Sequence, residues 1–294
     1  MHECNADVLQ DLVDLLDLEN LETNLFRGQS RDLGGKSVFG GQVLGQALVA
    51  AGRTVEQGEF AHSLHGYFLR RGAMDAPIVY EVDRVRDGRS FVARRVQAIQ
   101  NGRPIFSMIA SFHCVEPGLE HQAPMPRVPT PEALEAQGQL RNRWLHEAGE
   151  LPPRLVKAFT RPLAIEIRAV RPWNLLAPDI REPMQHVWFR AAGALPDDPL
   201  LHRCVLAYAS DYNLLTTAML PHGVSFLQQN MVVASLDHAL WFHRTPRADE
   251  WLLYCMDSPG AQGGRGLSRG LIYSRDGELV ASVVQESLMR QVQR

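Results

Sequence analysis

The sequence predicts an α+β fold built from two copies of one unit, each a long helix wrapped by a curved antiparallel sheet. Three observations carry this prediction. Strand-like runs with polar/apolar alternation fill residues 62–113 and again 232–289. Each set follows a helical stretch of small and apolar residues, and each contains a tight hairpin marker, Asn101-Gly102 in the first and Asp276-Gly277 in the second. The order of features also repeats. Ser63-Leu64 and Ser235-Leu236 open matching strands, and Ser107 and Ser282 stand at the same distance beyond their hairpins.

Residues 7–23 read as an amphipathic helix with leucines at 9, 12, 16 and 18. The glycine-rich segment Phe26–Phe39 reads as a loop. Gly40-Gly41 then opens a second helix whose stripe is Val43, Leu44, Ala47, Leu48 and Ala51. Its small residues predict a neighbour at close range, and an enclosing sheet fits. Four strands follow, His62–Arg71, Pro77–Arg86, Phe91–Gln100 and Arg103–His113, with clear alternation in IVYEVDRV and FVARRVQAI. Pro117, Pro124, Pro126, Pro129 and Pro131 make the next stretch a stiff, extended linker, followed by a helix from about Glu132 to Glu147. AIEIRAV and MQHVWFRAAG read as strands. Leu201–Leu215 reads as the second unit's helix, with Leu201, Cys204, Tyr208, Asp211 and Leu215 on one stripe. The last strands are Val232–Arg244, Trp251–Asp257, Leu267–Ser274 and Leu279–Met289, interrupted by GAQGGRG at 260–266. The expected division is an N-terminal unit at 1–114, the linker and its helix at 115–160, and a C-terminal unit at 161–294. A helix wrapped in this way is the hotdog arrangement, so the expected whole is a double hotdog with its two sheets joined edge to edge.

The chain of 294 residues is 45% hydrophobic and 21% charged, an ordinary soluble globular composition with ample length for a core. A net charge of -3 argues against a general nucleic-acid binder. Only Lys36 and Lys157 among the 30 basic residues are lysines. Arginine binds phosphate through two N–H groups at once, so phosphate-bearing ligands remain open, although biased codon usage explains such an excess equally. Cys4, Cys114, Cys204 and Cys255 are far apart and suggest neither a zinc site nor a disulfide framework, so no metal is expected and reduced thiols fit best. The acidic, amphipathic start does not read as a signal peptide, no apolar run is long enough to span a bilayer, and QVQR is not a peroxisomal address. A cytoplasmic protein, without membrane or nucleic-acid partners, is the expectation. Exposed strand edges and helices of small residues favour a homo-oligomer, a dimer or tetramer.

Asp211 is the residue that needs explaining. A carboxylate on an otherwise apolar stripe loses hydration and must gain donors or a chemical role, although structural carboxylates also occupy such positions. Eight ordered segments suggest what that role is. They are LFRGQS (25–30), FGGQVLGQAL (39–48), HSLHGYFLR (62–70), RDGRSFVARRV (86–96), AIQNGRPIF (98–106), YASDYNLL (208–215), LDHALWFHR (236–244) and VQES (284–287). On these segments the chain resembles the acyl-CoA thioesterase II (TesB-like) family over nearly its whole length. The resemblance implies a double hotdog that hydrolyses acyl-CoA to a fatty acid and CoA without a cofactor. It further implies a water held by an aspartate, a Thr or Ser hydroxyl and a glutamine, matched here by Asp211, Ser235 and Gln285. Serine departs from the threonine typical of bacterial members. It keeps the hydroxyl but loses the methyl that fixes its rotamer.

Thioester hydrolysis needs an oriented water, a base and an oxyanion site, since a thiolate leaves readily. Asp211 suits the base, while Ser235 and Gln285 can donate and accept around the same water. A backbone amide at a helix end is the expected oxyanion donor. Arg265 and Arg269, which flank the glycine-rich turn, and Gly41, which opens the first unit's helix, are the candidate substrate contacts. Solvated loop arginines explain the first two equally. Ser235 also suits a cap or a local bond within its strand, and an inward Gln285 would break alternation, while at a bulge it could instead face solvent. With Ala110 where the second unit has Gln285, and no aspartate in the helix from Gly41, the first unit reads as scaffold and binding wall. His62 and His65 read as structural, and Ser63 and Ser210 lack the G-x-S-x-G elbow of a serine hydrolase. Two other activities compete. A hotdog enoyl-CoA hydratase pairs its aspartate with a histidine five residues on, where this chain has Thr216. A non-enzymatic acyl-CoA sensor would need no such trio and usually an output domain, and no segment here is long enough to be one.

Overall fold

In the computed structural model, which describes residues 2–33, 35 and 37–292, two buried helices lie side by side in a core lined by one antiparallel sheet. The first unit comprises α1 (His2–Leu16), β1 (Glu19–Glu22), β2 (Leu25–Gly28), α2 (Gly40–Gly52), β3 (Glu59–Phe68), β4 (Ile78–Asp87), β5 (Val92–Gln100) and β6 (Arg103–Cys114). A connecting segment carries a short 3-10 turn at Pro131–Ala133, α3 (Gln137–Ala148) and α4 (Pro153–Thr160). The second unit comprises β7 (Ile165–Ala169), β8 (Met184–Ala191), α5 (Pro199–Ser210), α6 (Leu214–Met219), β9 (Met231–Ser235), β10 (Asp237–Phe242), β11 (Leu252–Gln262), β12 (Arg265–Ser274) and β13 (Leu279–Gln291).

The strand order is β1-β2-β4-β5-β6-β3-β10-β13-β12-β11-β8-β7, with β9 also paired to β13. The two units therefore fuse at the β3–β10 seam, where Ser63 pairs with Trp241 and Leu64 with Leu240. Asn101, Gly102 and Gly277 adopt left-handed backbone, as their hairpin roles require. Among the described residues no helix is long and apolar enough to cross a membrane.

Several element boundaries differ from the sequence pattern. The first helix stops at Leu16, and the residues after it form the β1–β2 hairpin, so Phe26 lies in a strand and not in a loop. The helix expected from Glu132 starts only at Gln137, because Leu134 is extended (φ -109°, ψ 148°). The glycine-rich piece at 260–266 does not interrupt the sheet: β11 continues to Gln262, and Gly263-Gly264 form the turn into β12. The close neighbour of α2 is α5 more than the sheet. A side-chain carbon at Gly41 would lie 2.3 Å from the Tyr208 carbonyl oxygen, and one at Gly45 would lie 3.1 Å from that of Cys204. The absent side chains let two helix backbones approach at a distance that no larger residue permits.

The proline-rich linker is extended as expected, and it is also bound down. Its Pro129 carbonyl accepts from Trp188 Nε1 at 2.9 Å, Gln122 bonds Gly277 and Leu279, and Glu132 pairs with Arg275. Met125, Val128 and Leu134 cover a cluster of Trp188, Trp251, Leu253 and Tyr273 on the second unit.

Candidate active site

The helix α5 ends one residue before Asp211, which caps it. Asn213 follows in left-handed conformation (φ 69°) and starts α6, so Leu215 belongs to a different helix and the five-residue stripe is not continuous. Ending the helix there turns Asp211 toward the N-terminus of α2. Its Oδ2 accepts from the Gly41 N–H at 2.8 Å. That amide is one of the N-terminal donors an α-helix leaves unpaired, and the helix dipole favours an anion at this end. The first unit thus supplies more than the scaffold and wall expected of it, since one of its backbone donors holds the carboxylate. There is no room at the neighbouring Gly40 for a side chain, whose first carbon would meet Asp211 Oδ2 at 2.7 Å.

Ser235 and Gln285 reach the other carboxylate oxygen. Ser235 Oγ donates to Asp211 Oδ1 at 3.4 Å, and Gln285 Nε2 donates to Ser235 Oγ at 3.1 Å and to Ser287 Oγ at 3.1 Å. Gln285 does not break the strand pattern. Val283, Gln285 and Ser287 are successive buried positions on β13, so the glutamine points inward in regular alternation and is completely buried. The irregularity lies across from it. Ser235 pairs with Ser287, yet Ala239 pairs with Val284, so the pairing slips by one residue at Leu236. The run expected as one strand from Val232 to Arg244 is therefore two strands, β9 and β10, separated by a bulge. Residues 235 and 238 would face opposite sides of a regular strand; the bulge brings Ser235 and His238 to the same glutamine. His238 Nδ1 lies 2.7 Å from Gln285 Oε1, and its Nε2 lies 2.9 Å from Ser210 Oγ.

Asp211 is partly buried, and the desolvation this brings raises its carboxyl above the ordinary carboxylate range. His238, the Gly41 amide, Ser235 and Gln285 pull it back down, in that order. Burial lowers His238 from its ordinary value, against the attraction of Asp211. The surrounding wall is aromatic. Phe39 packs edge-on against Tyr208 at 5.2 Å between ring centres and tilted against Tyr212 at 4.9 Å. A polar floor under an aromatic wall suits a reactive carbonyl carrying an apolar chain.

The structure thus brings Asp211, Ser235, Gln285 and Gly41 together. Arg265, at the start of β12, and Arg269, further along it, take no part in this cluster of bonds and form exposed ion pairs with Glu286 and Asp257. His62 bonds Ser111 and packs among Phe91 and His113, while His65 stands edge-on to Trp241. Sequence reasoning assigned no site role to His238 or Ser287, and weighed Ser210 only as a nucleophile. The available signal was the short spacing of polar residues in Ser235-Leu236-Asp237-His238, which no alternating strand explains.

Comparisons with known proteins bear on the family and the fold. An acyl-CoA thioesterase family model matches residues 165–288, and an acyl-CoA thioesterase N-terminal domain model matches residues 29–113. Acyl-CoA thioesterase 2 of Haemophilus influenzae is 40% identical over 97% of this chain and 99% of its own. Human acyl-coenzyme A thioesterase 8 is 42% identical, covering 94% and 88%. The crystal structure of an acyl-CoA thioesterase II, TesB2, from Mycobacterium marinum superposes with a TM-score of 0.77 at 46% identity, covering 96% of this chain and 99% of that one. A hot dog fold protein from Alicyclobacillus acidocaldarius, at 20% identity and a TM-score of 0.76, shares the fold. Family models that take in both sheet units, with near-full-length relatives at this identity, make the chain a member of the acyl-CoA thioesterase family.

Proposed function

We propose that the chain hydrolyses fatty acyl-CoA thioesters to the free acid and CoA, using a water held by Asp211, Ser235 and Gln285. The observation that carries this reading is the fixed, partly buried carboxylate: Oδ2 is held by the Gly41 amide and Oδ1 faces the Ser235 hydroxyl, which Gln285 holds in turn. A water against Oδ1 would have a proton acceptor on one side and the Ser235 and Gln285 groups on the other. Its oxygen attacks the thioester carbon while Asp211 takes a proton, and the C–S bond then breaks. The proton passes to the departing thiolate, so one water is consumed and acid and thiol result. Burial makes Asp211 a better base than a solvated carboxylate, and the donors around it favour its ionised form against that burial.

The hydratase alternative would need a free acid beside the aspartate. His238 is near Asp211, but both its ring nitrogens are engaged, by Gln285 and Ser210. Measuring CoA release from a ladder of acyl-CoA chain lengths tests the reading. Steady release by wild type, with a loss of at least about a hundredfold in Asp211→Asn, is expected. Binding of acyl-CoA with no release at any chain length would favour the sensor.

A further inference from the structure

Behind Gln285 lies a second buried pair, His238 and Ser210, that the holding of a water does not by itself require. Both residues are fully buried, His238 on β10 and Ser210 in the last turn of α5. An amide oxygen only accepts hydrogen bonds, so the 2.7 Å contact between Gln285 Oε1 and His238 Nδ1 needs a proton on Nδ1. The other end of the amide is then fixed. Its NH₂ faces the hydroxyls of Ser235 and Ser287. Ser235 Oγ receives one of these bonds, and its own proton is left for Asp211 Oδ1.

A half-turn of the amide would reverse every one of these roles. Oε1 would then accept the Ser235 proton, and the carboxylate would lose that donor. The amide's oxygen and nitrogen ends have nearly the same shape, so packing alone does not choose between them. The imidazole does choose, because a ring nitrogen carrying a proton repels the NH₂ end and bonds the oxygen. We infer that His238, seated on Ser210, is a positioning residue: its Nδ1–H locks the Gln285 amide in the orientation that frees the Ser235 proton for Asp211. The inference rests on the Asp211–Ser235–Gln285 reading given above.

The rest of the contact set fits one protonation state. A neutral ring protonated on Nδ1 accepts at Nε2, and Ser210 Oγ is placed to donate there at 2.9 Å. Ser210 Oγ also lies 2.8 Å from the Ala207 carbonyl, and its single proton serves one acceptor at a time. Were it given to Ala207, Nε2 would need a proton too, leaving a buried imidazolium. Burial opposes that charge, whereas Asp211 from the end of α5 and the adjacent Asp237 favour it. Asp237 is already committed to the Glu286 N–H at 2.6 Å.

Nitrogen-15 NMR of histidine-labelled wild-type protein reads the tautomer directly. A His238 signal protonated on Nδ1 is expected, and a ring protonated on Nε2 alone overturns the inference. Two substitutions of similar polarity separate positioning from mere structure. His238→Asn offers a donor near the Nδ1 position, and His238→Gln offers one near Nε2. His238→Gln should lower kcat by about tenfold or more, change KM by less than about threefold, and raise the acid limb of the pH profile, while His238→Asn recovers most of the loss. Equal losses in the two variants, or wild-type turnover in His238→Gln, overturn the inference. In a Gln285→Ala background, His238→Gln should cost nothing further, because both act through one amide. An undiminished second loss overturns it too. The two failures are distinguishable: wild-type turnover in Asp211→Asn and Gln285→Ala sinks the trio reading itself, whereas their inactivity beside a fully active His238→Gln sinks only the role given to His238.

Discussion

Asp211 carries two opposed demands. It must be ionised to take a proton, and burial raises its carboxyl above the ordinary range. The folded protein therefore binds this proton more tightly than the unfolded chain. The stability from this group is fully present below the unfolded pKa and is lost as pH rises through the folded one. Turnover runs the other way and grows across the same window, so its acid limb should lie above the range of a solvated carboxylate. Asp211→Asn removes the buried charge. It should abolish most turnover while raising Tm at neutral pH, by about 2–4 °C for each 1 kcal/mol of desolvation relieved. Thermal unfolding of both proteins at pH 7 checks this, and a lowered Tm in the variant would contradict it. At this scale the sequence suggested the members of the proposed site and was silent about its wiring. Gln285 lies on the alternation of β13, but a glutamine in an apolar row reads as a break in that pattern, and only the structure shows it pointing inward. For His238 the polar spacing in Ser235-Leu236-Asp237-His238 hinted at an irregular strand, but where the bulge falls shows only when the pairing with β13 is known.

The helices α2 and α5 set the geometry that the residues use. Their contact is tightest where Gly41 meets the Tyr208 carbonyl, one turn before Asp211. Gly45, one turn further along α2, faces the Cys204 carbonyl with more room. Gly41→Ala should cost about 1–3 kcal/mol by overpacking and also draw the Gly41 amide away from Asp211. Gly45→Ala should cost less stability and leave turnover close to wild type. Tm and kcat measured on both variants test the separation, and equal loss of activity would count against it. The small residues of α2 were plain in the sequence, but they only announce a close neighbour and do not say which. The end of α5 was hidden for a related reason. Leu214 and Leu215 continue the apolar period past the break, and the left-handed turn falls on an asparagine, a residue common in many settings.

Across the described residues the strands form one sheet, and the main hydrophobic core takes in both units. The β3–β10 seam joins the units by backbone hydrogen bonds, α2 and α5 bury each other, and the linker closes over the second unit's tryptophans. Separate unfolding of the halves would expose both helices and the seam together. Calorimetry should therefore show a single transition whose calorimetric and van't Hoff enthalpies agree, and two resolved transitions would refute this coupling. The repeat was legible because hairpin turns and alternation are local signals. The part played by the linker was not. Prolines impose an extended path, but the bonds from Trp188, Gln122 and Glu132 that fix where it runs join residues far apart in the chain.

The twofold likeness of the units poses a question of stoichiometry. Each central helix ends on a charged cap, Asp211 on α5 and Arg53 on α2. Arg53 is turned away to Asp17 and the Leu18 carbonyl, and Ala110 stands where the second unit has its glutamine. On the proposed reading, only one of two related positions has the groups that would hold an attacking water. A non-hydrolysable acyl-CoA analogue, titrated calorimetrically, should saturate at one equivalent per chain, and two equivalents would show that the silent half still holds ligand.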